Sequence, residues 1–491
     1  MKTAFNDVRK SESCGRKSIR KLSVLSMIAL VSVSCLILSS CAGTGKKRQE
    51  AFDKVGDDYL ATITEIKKNH KKLYGEKSEF LLYMDIGVLF HYAGMYDSSN
   101  VYLLKAEQIF DDLFTRSVTN EAAALLTNDN MRPYRTKPYE LTVLHQLAAF
   151  NFMAMGKFDE ALVETRRMQT YFNEWERTEA KDKKYHTDGM FHLFSSLAYE
   201  RVNEPDNSLI SLFKSVEAYK KGPVALAPEV EGFAYDRLKA GEREDDIGTL
   251  KIGPNSGSNK WTAAMGDAEI IIVGYAGKGP KMIEQNWEGD MVPGGNMSLR
   301  RKGGGGQAIV APAPPIPDSH KNSVKGGGPT HLKISLPELV TTESRIDRFS
   351  ARLAGGGQEY RSVVVNDIDK QAKKEFDDNF GTVVARTMLR TFIRTMLAEQ
   401  TKKNVSSNNS GANFAIGLIA NAVTAEMEHA DVRMCFFLPQ KIIVTRIPVE
   451  PGTYTVQMNV HDKSGSVIGR RSYDNIEVKK GDKKVLFNKQ L

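Results

Sequence analysis

At 491 residues the chain exceeds the size at which a single hydrophobic core keeps growing, so two or three domains are expected. With 41% hydrophobic and 26% charged residues it reads as globular with local disordered stretches. The formal charge of +8 suggests nucleic acid, but seven of the basic residues (Lys2, Arg9, Lys10, Arg16, Lys17, Arg20, Lys21) stand in the first 40 positions against Asp7 and Glu12. Without that segment the balance is only +3, which removes the electrostatic case for a nucleic-acid partner.

The first 21 residues are basic, and Leu22 to Leu38 form an apolar run broken only by serines and a cysteine. Small residues follow at once, Ser39-Ser40-Cys41-Ala42-Gly43. Leu38, Ser39, Ser40 and Cys41 resemble the bacterial lipobox, so 1–40 is expected to be a lipoprotein signal peptide. Cys41 is then the lipidation site, because alkylation by diacylglycerol needs a thiolate-forming side chain. Several acyl chains make release from a bilayer negligible where one chain binds only marginally. An uncleaved membrane span is the alternative, against which the run of about 17 apolar residues is short. In the sorting pattern this resembles, Ala42 rather than an acidic residue favours the outer membrane, periplasmic-facing. Residues 41–50 form the anchor and a short tether. Cys14 and Cys35 lie in the signal, which leaves Cys435 alone in the mature chain and no internal disulfide.

From 51 to 220 the apolar positions follow a helical period, and the sequence predicts paired helices packed as a tetratricopeptide-like α-solenoid. In the first copy Gly87, Ser99 and Ala106 are the small residues where helices approach, Gly94 permits the turn, and Tyr96 opens the second helix. In the second copy Gly156 turns the chain, followed by Phe158 and Ala161. A third copy runs from His192 through Asn203-Glu204-Pro205 to Ser215, with Pro205 at a helix start. Residues 53–73 are expected to cap the array, and 115–138 breaks its register. Such an array presents a groove to a partner; the other reading is that the helices pack only on the rest of the chain.

Residues 221–298 are expected to be a β-containing linker, with a strand at Asp267–Val273 and a turn from Gly274 to Pro280. Gly274, Gly277 and Lys278 are not a phosphate loop, since the glycine spacing is wrong and no Ser/Thr follows the lysine. Residues 299–330, rich in Gly and Pro, are expected to be a flexible insertion. The last unit, 331–491, is expected to be a C-terminal α+β domain. It has strands at 331–339 and 360–365, a helix at 366–399 and an almost uncharged helix at 412–427. Four final strands, 441–447, 453–461, 467–473 and 484–487, alternate as in a small antiparallel sandwich. The fold class is therefore α+β.

Pro138-Tyr139-Glu140, Gly156 through Arg167, Ala385-Arg386-Thr387 with Arg390, Ala430-Asp431-Val432-Arg433 and Pro451-Gly452-Thr453-Tyr454 together resemble an uncharacterised family of bacterial envelope lipoproteins with tetratricopeptide-like helices. The resemblance spans most of the mature chain and brings no activity with it. It departs at Met434-Cys435-Phe436 and in the Gly-rich insertion.

No pattern of catalysis or metal binding stands out. The nine histidines lack metal-site spacing, and no nucleophile elbow is present. His429 with Asp431 reads as a cap or surface pair, Asp57-Asp58, Glu244-Asp245-Asp246 and Asp377-Asp378 as solvated surface, and Cys435 as a buried inert thiol. Catalytic residues, metals and cofactors are therefore expected to be none, apart from the covalent lipid on Cys41. The expected function is a membrane-anchored, non-enzymatic scaffold or adaptor that binds an envelope protein. The alternative is a lipoprotein that binds or hydrolyses cell-wall or polysaccharide polymer through its carboxyl-terminal domain.

Overall fold

A computed structural model describes residues 58–116, 130, 132–178, 188–254, 261, 268–316, 329–405 and 429–490. Leu38, Ser39, Ser40 and Cys41, the tether and the stretch 412–427 lie outside the described residues. The architecture is mixed α+β, with ten helices and three antiparallel-rich sheets among the described residues.

The chain begins with α1 (Tyr59–Tyr74), whose first turn is capped by Asp58 accepting from the Ala61 amide at 2.9 Å. Three helix pairs follow: α2 (Glu79–Tyr92) with α3 (Tyr96–Arg116), α4 (Pro138–Ala154) with α5 (Phe158–Thr178), and α6 (Gly189–Arg201) with α7 (Pro205–Lys221). Each pair turns in the same way, through one residue in the left-handed region: Gly94 at φ 75°, Gly156 at φ 74° and Asn203 at φ 62°. The amide after that residue reaches back to the helix it has left: Met95 to the Phe90 carbonyl, Lys157 to Phe152, Glu204 to Tyr199.

A fourth pair, α8 (Pro228–Ala240) and α9 (Glu244–Leu250), repeats the turn at Glu242, with the Arg243 amide on the Leu238 carbonyl. The expectation of a β-containing linker from 221 is thus corrected, since its first 30 residues or so are helical. Pro228 at the start of α8 and the acids opening α9 suit helix N-termini.

Small residues set the distance within the pairs. A Cβ on Gly87 meets the Leu103 side chain at 2.7 Å, and Ser99 donates to the Gly87 carbonyl at 2.7 Å. Ser215 repeats this toward Gly189 at 2.6 Å. Ala106 and Ala161 are fully buried, and Phe158 is nearly so.

Strand β1 (Ala268–Lys278) is buried over its first ten residues, so it carries cover on both faces. The expected turn at Gly274 is therefore corrected. That glycine lies within the strand because a Cβ there sits 1.9 Å from the Phe349 ring. β2 (Lys281–Met291), β3 (Asn296–Arg301) and β4 (Ile309–Pro312) form a meander, joined by β5 (Thr330–Val340). Part of the expected flexible insertion is thus sheet. Leu299 pairs with Ile309 and is fully buried, because the apolar residues on either side of Gly303–Gly306 face each other in a hairpin.

β6 (Ile346–Leu353), β7 (Tyr360–Arg361) and β8 (Val363–Asp367) lead to the long helix α10 (Ile368–Val405). The chain closes with β9 (Pro439–Val449), β10 (Gly452–Asp462), β11 (Val467–Val478) and β12 (Lys483–Gln490). These last strands do not form a unit of their own. One sheet has the order β12-β1-β9-β8, with β1 and β12 parallel, and the other β11-β10-β6-β7. The sandwich therefore needs β1, from the segment read as linker, to place an apolar strand between β9 and β12.

One face of the β1 sheet shares a core with the second sheet through Ile270, Ile272, Phe349, Ile443 and Met458. Its other face, with Ile271, Val273, Tyr275, Val444 and Phe487, belongs to the core of the helices. The β2–β5 sheet packs separately on α10 through Leu299, Leu336, Met388 and Phe392.

Candidate functional site

In α2, α4 and α6 residues are buried almost all round, 11 of 14, 14 of 17 and 10 of 13 respectively, whereas Val101, Leu104, Val163 and Ile210 on α3, α5 and α7 stay exposed. A helix buried on every side has neighbours beyond its hairpin partner. Here the neighbours are the chain's own carboxyl half. The face that the sequence offers as a partner groove is closed by β1, β12, α10 and the segment 434–438.

That segment has no ladder of its own, and buried side chains supply its partners. Glu140 accepts from the Cys435 amide at 2.9 Å, from the Lys137 amide at 3.1 Å and from the Tyr134 hydroxyl at 2.6 Å. Asp85 accepts from the Phe436 amide at 2.9 Å and from Tyr74 at 2.8 Å. Tyr92 donates to the Phe437 carbonyl at 2.9 Å. Both carboxyl groups are fully buried, a placement tolerable only with such partners. Cys435 is buried among them, as its apolar neighbours suggest.

Two further polar junctions tie the halves. His91, fully buried, donates from Nδ1 to Asn151 Oδ1 at 2.6 Å and accepts at Nε2 from the Tyr275 hydroxyl at 2.8 Å. Burial, with the charge of Lys489, lowers its pKa to about 3, so the ring is neutral. Glu269 takes Arg446 at 2.8 Å and Lys483 at 2.9 Å, and Lys483 continues to Glu200 at 3.3 Å. Burial opposes the ionised form of Glu269, yet the two cations outweigh it and hold the carboxyl at about 2.

One cleft stays open at this seam. It has a volume of about 230 Å³ between the loop 132–137, α10, β5 and residues 429–433. Arg132, Arg135, Lys137, Arg386, Arg390 and Arg433 line it against two carboxylates, Glu375 and Asp431. Arg433 answers Asp431 through paired contacts of 2.8 Å and donates to the Arg132 carbonyl at 3.0 Å. Burial pushes Asp431 upward, but these bonds and the guanidinium charge outweigh it and keep its carboxyl low. Arg135, Lys137 and Arg386 form no ion pair among the described residues. The Tyr134 ring lies under Lys137 at 5.6 Å and Arg433 at 5.5 Å.

Glu375 separates this cleft from a smaller one of about 100 Å³ that Tyr139 and Asn379 also border. Burial raises the Glu375 carboxyl to about 8, Glu140 adds to the shift, and Lys137 opposes it. Across the smaller cleft Asp188 caps α6 through the Phe191 amide at 2.8 Å and also takes Asn366 and Gln371. Carboxyl groups shifted by burial beside a charged cleft cluster at functional sites and also occur in structural networks.

The structure does not gather the sequence-predicted positions into one site. Gly87, Gly94, Tyr96, Ala106, Gly156, Phe158 and Ala161 serve the helix pairs, as packing and turn residues. His429 and Asp431 part company: His429 meets Glu284 at 3.0 Å while Asp431 holds Arg433. Asp377 and Asp378 each bridge to a lysine one turn back at exposed positions, Lys373 and Lys374. Residues not singled out by the sequence reading, Asp85 and His91, both lie in the mostly apolar helix α2, and that interruption is the signal that marks them.

No family model matches the chain, and neither a curated protein nor a solved structure shows significant similarity to it.

Proposed function

We propose that this chain is a bacterial envelope lipoprotein, held at the outer membrane on its periplasmic side by a lipid on Cys41, whose folded body is a non-enzymatic adaptor for an acidic partner. The observation that carries the reading is the cationic cleft, in which six cations face two carboxylates and Arg135 and Arg386 form no ion pair among the described residues. The four pairs with one common turn support a tetratricopeptide-like array, now as the scaffold behind the cleft. The groove expected on the first helices is filled by the chain itself, so docking moves to Arg135, Lys137 and Arg386.

The test is a crosslinking pull-down from envelopes. Recovery of a stoichiometric protein with an acidic surface, lost on R135E/R386E, supports the adaptor. Recovery undiminished by that charge reversal rejects the cleft. The anchor has a separate readout: fatty-acid label on the wild-type chain disappears in C41S, and label persisting there contradicts lipidation at Cys41. A second reading is favoured by the arginines beside Tyr134: an acidic envelope polysaccharide as the occupant, with retention on that polymer replacing the pull-down.

A further inference from the structure

On the far side of the helical half from the cationic cleft, the turn after α2 meets the last strand at a second cleft of about 360 Å³. Its walls are the rings of Tyr59, Tyr92, Tyr96 and Phe487, and its two charged residues are Arg471 and Lys489. Among the described residues no acidic one lines it. Lys489 gives one N–H to the His91 carbonyl at 2.9 Å, at the end of α2, and keeps two donors for the cleft.

The two cations come from different sheets. Lys489 follows Phe487 on the face of β12 that meets the helices. Arg471 pairs across with the buried Met458, so it stands on the inward face of β11, at the edge of its sheet. An inward cation on an edge strand also guards against pairing with other chains. Arg470 and Arg471 are both exposed on that edge, but only Arg471 lines the cleft. Burial, and then the charge of Arg471, pulls the Lys489 ammonium down to about 7.

We propose that this cleft binds a phosphate monoester of a small polyol, the anion on Arg471 and Lys489 and the polyol against the tyrosine rings. A phosphate monoester carries a charge of about −1.5 to −2 near pH 7, which favours the protonated form of Lys489 and so is met by two cations, and the guanidinium fork of Arg471 fits its oxygens. Aromatic faces pack the C–H surface of a polyol. The volume exceeds what an inorganic anion fills, which calls for the organic part. Such an ester is presented either by a soluble metabolite or by a lipid headgroup.

The detergent-solubilised full chain is titrated calorimetrically with sn-glycerol 3-phosphate, with glycerol and inorganic phosphate as controls. Saturable binding is expected, weakened at least tenfold by R471Q and unchanged by R470Q, which removes the same charge from the other face of the strand. K489Q is expected to weaken it similarly. Repeating the titration on chain reconstituted in phosphatidylcholine vesicles with or without phosphatidic acid separates the sources: blockage by phosphatidic acid assigns the site to a lipid headgroup, and persistence assigns it to a soluble ester. No heat beyond the glycerol control overturns the proposal. So does equal loss in R470Q and R471Q, or binding of inorganic phosphate as tight as that of the ester.

Discussion

Replacing Glu140 with alanine removes the acceptor of three groups at once: the Cys435 amide, the Lys137 amide and the Tyr134 hydroxyl. A buried donor left unsatisfied costs about 1–3 kcal/mol. Some relaxation toward water at Lys137, which is partly exposed, reduces the sum, so a loss of about 3–6 kcal/mol is expected from the three donors together. That is a large share of an ordinary folding stability of about 5–15 kcal/mol. Urea denaturation measures it, and hydrogen exchange at the Cys435 amide locates it, since that proton should lose protection first. Y134F, which deletes one donor and leaves the acceptor, should cost only about 1 kcal/mol. Combined with E140A it should cost less than the sum of the two, because the phenol then no longer stands unsatisfied. An E140A chain with an unchanged urea midpoint and a still-protected Cys435 amide would refute the view that this carboxyl group holds the two halves together.

Glu375, with its carboxyl raised to about 8, binds a proton in the folded chain that the unfolded chain has released above its ordinary value of 4.5. Stability from this group is thus lost as pH rises from 4.5 through 8, and E375Q should flatten that decline, by on the order of 3 kcal/mol between pH 5 and 8 in urea titrations. His91 and His192, both lowered to about 3 chiefly by burial, act in the opposite sense. Their contribution is full above about pH 6.5 and disappears as pH falls toward 3, so the acid limb of the stability profile should steepen below 6.5 and ease in H192F. E269A leaves Arg446 and Lys483 buried together without their carboxylate, and a loss of about 3–5 kcal/mol is expected by calorimetry, with a cost below 1 kcal/mol contradicting the ion-pair network. G274A drives a methyl into the Phe349 ring and should cost about 1–3 kcal/mol, recovered in part by F349L; equal costs alone and combined would sink this contact.

The helix pairs were legible because their signals are local. Gly94 and Gly156 each sit between apolar helical periods, and Asn203 can take the same left-handed turn. The fourth pair escaped because Gly222-Pro223 reads as an exit from helix and α9 opens with three acids. DAEIIIV reads as a strand, but its burial on both faces and its run through Gly274 are not legible, since a close approach of Phe349 leaves no mark near that glycine in the sequence. β2 carries no alternation to find: only Met282 and Met291 along it are buried. The cleft was not legible at all. Its cations come from 132–137, α10 and 429–433, three segments brought together only when Glu140 and Asp85 fix the chain at 435 and 436 onto the helices.

Site-specific photocrosslinking in living cells tests the docking surface most directly. With the crosslinker at position 383, in the cleft, the account predicts an adduct with an acidic envelope partner that R135E abolishes and R470E leaves intact. Adducts from position 101, on the exposed outer side of α3, with none from position 383, would contradict it.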